Sequence, residues 1–201
     1  MRAFILMLAT AAGTAGCTPS APPGCPTCAR ARLANEWCDA CKVGYVAGVP
    51  IQCKVVFECI DAHGHKLMLR TIECPSCKAA IAINGFCETC RIGWLDGLAY
   101  YSRLTYHLAK GKACDPATLG CAACRGNASR YGWCAACGVG MIGNVAIRDR
   151  KDFDDGCRGY DLMITAVEAS RRCDVCGLAI MTDTSCFRCR KTYKDGKEVG
   201  S

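Results

Sequence analysis

Sixteen cysteines of this 201-residue chain stand in eight C-x-x-C pairs, and the pairs come two by two. Residues 25–41 read CPTCARARLANEWCDAC, and the frame returns as CPSCKAAIAINGFCETC at 74–90, CAACRGNASRYGWCAAC at 121–137 and CDVCGLAIMTDTSCFRC at 173–189. Nine residues separate the two pairs in every copy. Thiols so arranged suit a tetrahedral metal centre, because each C-x-x-C turn offers two sulfurs from one tight loop and two turns complete the ligand set. The expected ligands are Cys25, Cys28, Cys38 and Cys41; Cys74, Cys77, Cys87 and Cys90; Cys121, Cys124, Cys134 and Cys137; and Cys173, Cys176, Cys186 and Cys189. Zn2+ is the expected ion at all four sites, although four sulfurs suit iron as well. A centre closed by four thiolates keeps no open position for water or substrate, so metal-assisted hydrolysis is not expected.

Other chemistries fit less well. No C-x-x-C is followed by His, which excludes covalent haem of the usual kind. A thioredoxin-type dithiol needs a strand–helix setting that nothing around CPTC or CPSC suggests. Disulfides would suit an oxidising compartment but would not require a fixed nine-residue gap. Phosphate-cradling and nucleophile-elbow motifs are absent, and no enzyme activity or small-molecule substrate is expected. His63 and His65, with Cys59 nearby, fit a second metal site only loosely; His107 reads as one face of a helix. Asp152, Asp154 and Asp155 lack calcium-loop spacing and read as a solvated turn. Cys53, Cys59, Cys114 and Cys157 fall outside the frame, and the first two read as small apolar residues.

A unit of about 27 residues cannot bury enough apolar surface to stand alone, so the ion must supply what a core would. Structural zinc is worth about 10–16 kcal/mol in small peptides at pH 7, enough to fix such a fold. The nine-residue gap has room for a short hairpin, with Asn84-Gly85 as a turn signal. Trp37, Phe86 and Trp133 precede the third cysteine, either to cover the sulfurs or as ordinary small-core aromatics; Ser185 breaks the pattern and Phe187 stands nearby. A hairpin should follow each fourth cysteine, turning at Ala47-Gly48, Asp96-Gly97, Gly143-Asn144 and Asp195-Gly196.

Paired knuckles and hairpins of this kind resemble the zinc-ribbon and rubredoxin-knuckle class. The resemblance implies a small metal-stabilised α+β fold of four tandem ribbon units. It departs where ribbons carry Gly after the second knuckle cysteine, since only Gly138 and Gly177 do so here. The units are set at 25–51, 74–100, 121–148 and 173–199, with helical connectors at 52–73, 101–120 and 149–172. Ser102 is placed as an N-cap, and Tyr160, Met163, Ile164 and Val167 share one helix face. Such modules are expected to form an elongated array stabilised by nearest neighbours.

The N-terminus is a different kind of segment. Arg2, an apolar run from Ala3 to Ala12 and small residues up to Gly16 form a signal peptide over 1–16, too short to span a bilayer. Thr14, Ala15, Gly16 and Cys17 resemble the lipobox of bacterial lipoproteins, which implies a lipid on Cys17 and a Pro-rich linker to residue 24. Ordinary cleavage after residues 9–11 is the alternative. The formal charge of +7 does not point to nucleic acid: losing Arg2 leaves +6, and sixteen thiolates with four divalent ions bring the loaded chain near −2. The expected protein is therefore a membrane-anchored envelope scaffold for other envelope proteins. In a Gram-negative host it would sit on the outer membrane, facing the periplasm or the surface. A metal buffer and a thiol or iron redox carrier are the alternatives.

Overall fold

The computed structural model describes residues 24–200, so the leader, the linker and the lipidation candidate Cys17 lie outside the described residues. Unit one comprises α1 (Pro26–Ala34), β1 (Trp37–Cys38), β2 (Val43–Val46) and β3 (Val49–Ile51), followed by α2 (Lys54–Ile60) and an edge strand β4 (His65–Lys66). Unit two repeats this as α3 (Pro75–Ala82), β5 (Phe86–Cys87), β6 (Ile92–Leu95) and β7 (Leu98–Tyr100), then α4 (Arg103–Lys110) and β8 (Lys112–Ala113). Unit three is α5 (Ala122–Asn127), β9 (Tyr131–Cys134), β10 (Val139–Ile142) and β11 (Val145–Ile147), followed by the long α6 (Arg150–Ser170). Unit four is α7 (Asp174–Thr182), β12 (Ser185–Cys186), β13 (Lys191–Lys194) and β14 (Lys197–Gly200). Four small antiparallel sheets result, with β4 added to the edge of β7 and β8 to that of β11.

The nine-residue gap holds a helix where a hairpin was expected. Each helix begins on the unit's first cysteine as N-cap, and Pro26 and Pro75 sit at the opening position, where a missing N–H costs nothing. Asn35 and Asp183 end their helices in the left-handed conformation, at φ 56 and 54, and Asn84 does so one residue past its C-cap. The same three side chains clip the helix end to the hairpin turn: their Oδ1 atoms accept from the N–H of Ala47 (2.8 Å), Asp96 (2.9 Å) and Asp195 (2.8 Å). Unit three has Tyr131 at that place and uses backbone instead, Gly143 N–H donating to Arg130 O at 2.7 Å. The hairpins themselves fall where the turn residues put them. Both turn residues have positive φ in units one, two and four, as a type I′ turn requires, and Gly143 alone does in unit three.

The connectors prove to be part of the repeat. The first residue of each connector helix follows an N-cap at Cys53, Ser102 or Asp149, each 28 residues after its unit's first cysteine. Ser102 accepts from Thr105 N–H and Asp149 from Asp152 N–H. One turn later each helix lays a ring on the hairpin: Phe57 on Gly44, Tyr106 on Gly93 and Phe153 on Gly140, so close that a Cβ there would lie 2.3, 2.3 and 2.2 Å from the ring. Trp37, Phe86 and Trp133 stack on these rings at 5.5, 5.6 and 5.6 Å. Lys54, Arg103 and Arg150 cover the outer faces at 5.9, 4.4 and 5.1 Å from the ring centroids. The aromatics before the third cysteine thus join unit to helix.

An array held only by nearest neighbours is not what forms. One central core gathers Val46 and Ile51 of unit one, Val56 and Ile60 of α2, Leu104 and Leu108 of α4, Ile142, Val145 and Ile147 of unit three, and Phe153, Tyr160, Met163 and Val167 of α6, with Leu178 and Met181 of α7 against it. Tyr160, Met163 and Val167 are buried and Ile164 partly so, as their shared face predicts. Units one and three, distant in sequence, lock turn to turn. Asn144 N–H donates to Ala47 O (3.1 Å), its Nδ2 donates to Arg32 O (2.8 Å), and any side chain on Gly143 would strike the Ala47 carbonyl. The physical reason is the helices: each carries an apolar face wider than its own hairpin can cover, so the faces bury one another. Among the described residues no helix is long and apolar enough to cross a membrane.

Candidate metal centres

The fold brings the sixteen cysteines into four groups of four, each with its sulfurs within 4.8 Å of one another. The first pair comes from a helix start and the second from the end of a short strand and the turn that leads into the hairpin. Across the pairs, Cys25–Cys38, Cys74–Cys87, Cys121–Cys134 and Cys173–Cys186 sulfurs lie 4.0, 3.9, 3.8 and 3.7 Å apart. A tetrahedron with metal–sulfur bonds of about 2.3 Å has edges of about 3.8 Å, so the spacing fits a tetrathiolate ion. No disulfide joins any of the described cysteines.

The electrostatics of the thiols favour a cation. At the helix starts the sulfur makes no conventional cap bond, but the N–H three residues on faces it. That dipole draws Cys25, Cys74 and Cys121 down to about 7. Burial pushes Cys77, Cys124 and Cys176 up to about 12, and raises Cys28. In the fourth group Cys186 is the thiol drawn down to about 7, so every group sets one such thiol beside a buried one whose proton a divalent ion must displace. The second and third cysteines are buried in every group, whereas the fourth is exposed in three: Cys90, Cys137 and Cys189.

The sequence reading missed the residues that back these sulfurs. Twenty residues after each first cysteine stands Tyr45, Trp94, Met141 or Tyr193. Tyr45 and Trp94 are almost fully buried, yet their Oη and Nε1 meet no oxygen or nitrogen acceptor. The polar neighbour of each is a sulfur, Cys28 or Cys77, whose thiolate the donor favours; Tyr193 does the same for Cys176. A buried donor without an oxygen partner is costly unless an anion answers it, and a metal-bound thiolate does. Met141 in unit three offers Cys124 no such donor. The signal was available: a fixed offset carrying three polar aromatics.

The residue after the fourth cysteine explains the missing glycines. Lys42, Arg91, Gly138 and Arg190 all take left-handed φ, between 52 and 60, so the backbone does what ribbon glycines do and three units bear the strain of a side chain.

The looser candidates are not brought together. His63, His65 and Cys59 form no metal-holding group; His65 Nε2 lies 2.8 Å from Asp61 Oδ2 and its ring stacks on Tyr101. His107 is buried on α4, its Nδ1 3.0 Å from Asp152 Oδ1. Asp152, Asp154 and Asp155 lie in the first turns of α6 and not in a solvated turn, and Asp155 is buried against Lys151 and Arg158. Cys157 packs on the central core and Cys114 on the third cluster. No protein-family model, no curated protein and no solved structure matches the chain.

Proposed function

We propose that this chain is a non-catalytic cell-envelope protein, anchored by a lipid on Cys17, in which four zinc ions hold ribbon-like units that present a surface to other envelope proteins. The observation that carries the reading is the geometry of the four tetrads, sixteen thiols at tetrahedral spacing, with the buried polar atoms of Tyr45 and Trp94 beside two of them. The knuckle-and-hairpin half of each unit supports the ribbon assignment, and the helical first half is its variation. Exposed Leu67, Met68 and Leu69 in one run, with Ile83 and Phe187 elsewhere, support a docking role. The leader and its lipobox-like end support the anchor.

Native and denaturing intact-mass measurement with elemental analysis of protein taken from its own membrane tests all parts together. The expected result is four zinc ions per chain, no disulfide and a diacylglyceryl adduct on Cys17. Iron would shift the reading to a redox carrier. An ordered, metal-free chain with its thiols oxidised would end it.

The exposed fourth ligands Cys90, Cys137 and Cys189 favour a second reading, in which the protein takes up and hands over metal. Chelator competition separates the two. Ions that leave while far-ultraviolet circular dichroism persists indicate handling; loss of structure with metal indicates a scaffold.

A further inference from the structure

We propose that the third tetrad is built for ligand exchange with a small anionic thiol, Cys137 being the ligand that lets go, while the other three tetrads are closed. The inference rests on the metal-binding part of the reading above and assigns the exchange to one site.

Four features single this tetrad out. First, Met141 stands where Tyr45, Trp94 and Tyr193 place a donor on a buried sulfur, so Cys124 carries its charge without that support. Hydrogen bonds to a thiolate disperse its charge and lower its tendency to leave with a proton or meet an electrophile. Second, the residue after the exposed ligand is Gly138, beside which a Cβ would meet nothing within 4 Å; the other units carry Lys42, Arg91 and Arg190 there. Approach to Cys137 is therefore bare. Third, Cys137 and Gly138 line a groove of about 710 Å³ together with Lys110, Lys112, Arg148, Asp149 and Asp152. The three other grooves described contain no tetrad cysteine.

Fourth, the groove holds cations that no carboxylate pairs. Lys110 is neutralised by Asp152 at 2.9 Å, and Asp149 is committed to capping α6. Lys112 and Arg148 are exposed and form no salt bridge with a described residue, so they are the two cations left to offset the charge of the loaded tetrad and to meet an incoming carboxylate. A thiol with a carboxylate satisfies both halves of the site: its carboxylate meets Lys112 and Arg148 while its sulfur reaches the ion. The exchange is balanced. The incoming R–SH forms a metal–sulfur bond as the metal–Cys137 bond breaks, and the proton of the incoming thiol ends on Cys137; nothing is oxidised or reduced.

The test uses the full chain loaded with zinc, its stoichiometry first read by native mass spectrometry. The protein is then exposed to glutathione, or in parallel to uncharged 2-mercaptoethanol, and pulsed with N-ethylmaleimide before peptide mapping of every cysteine. Cys137 should be alkylated first, on the order of tenfold ahead of Cys41, Cys90 and Cys189, the scale of one lost hydrogen bond to a charged group. Lys112→Glu with Arg148→Glu should slow the glutathione reaction about fivefold and leave that of 2-mercaptoethanol unchanged, as expected for exposed charge contacts. Tyr45→Phe, which removes one oxygen and keeps the ring, should bring the first tetrad toward the rate of the third. Tetrads that label together, or another tetrad labelling first, would overturn the inference while leaving a four-metal protein intact. A chain with no metal at the outset would sink both.

Discussion

In units one to three a glycine opens a seat on the hairpin and the ring of the following helix fills it; in unit four the same place is Thr192, whose hydroxyl lies 2.8 Å from that of Ser185. Ser185 in turn replaces the tryptophan or phenylalanine that stacks on the ring elsewhere. Both seats are gone together, and a paired hydroxyl closes the gap. Unit four instead joins the others through α7, which packs on α6 and α2, Gly177 allowing close approach to Ala166, Ser170 and Val56. The difference separates two jobs. Four thiols and an ion shape a unit, whereas ring-on-glycine seats and helix faces decide how units are joined.

The comparison breaks most visibly at Phe153. This ring is buried, sits on Gly140, stacks with Trp133 and belongs to the central core. Phe153→Ala should cost about 3–5 kcal/mol, because a large core ring leaves a cavity that rigid hairpin backbone cannot fill. Thr192→Ala, the matched change in unit four, should cost less than about 1 kcal/mol. Urea unfolding of the zinc-loaded protein, followed by tryptophan fluorescence, measures both. Equal losses would mean that the seat contributes nothing special.

Approaching the same seat from the hairpin side should cost somewhat less. Gly140→Ala places a methyl 2.2 Å from the Phe153 ring and must push α6 away, at about 1–3 kcal/mol. In unit four the seat holds no ring, and Thr192→Val should shift the melting temperature little. If Gly140→Ala is neutral, the helix can slide and the seat is not a constraint on how units join.

Much of this was legible before any coordinates. The ligand groups, the hairpin turns and the cap at Ser102 follow from residue types whose geometry is local: two thiols on one turn, positive φ at Asp-Gly, a hydroxyl before a helix. The helix in the nine-residue gap was not, because ARARLANEW and KAAIAINGF also suit a turn, and what fixes them as helices is the N–H cluster beside the first cysteine and the clip at Asn35 or Asn84. The shared core was hidden for a different reason. Cysteine spacing ends with the fourth ligand, while the glycine, the polar aromatic, the N-cap and the ring recur only when the units are aligned beyond it. Long-range locks such as Asn144 on Ala47 leave no periodic trace at all.

The clip at the helix end sharpens the comparison within units. Asn84 accepts from Asp96 N–H and holds φ at 51, both of which alanine does badly. Asn84→Ala should therefore cost about 1–2 kcal/mol, part lost hydrogen bond and part left-handed strain. Unit three makes the same closure with backbone atoms, so Tyr131→Phe should leave its turn intact. Amide hydrogen exchange at Asp96 and Gly143 reads the two directly: protection should fall in the first variant and persist in the second.

The smallest effect expected concerns the junction of α4 with α6, which unit four lacks. Burial pulls the His107 imidazolium down against the pull of Asp152 at 3.0 Å and Asp155 at 4.0 Å, with Lys110 opposing protonation as well. The net shift is downward, so the unfolded chain binds this proton more readily than the folded one. The stability that neutral His107 confers is thus complete above the unfolded value of about 6.5 and is lost as pH falls below it, with a slope no steeper than about 1.4 kcal/mol per pH unit. Protonation of the metal-binding thiols weakens the protein over the same range, which is why the informative quantity is a difference. His107→Gln keeps a group able to donate to Asp152 but cannot titrate, and its stability should fall less between pH 6.5 and 5 than that of the parent. Parallel curves for the two proteins would place the acid sensitivity wholly in the sulfur clusters and leave the α4–α6 junction indifferent to pH.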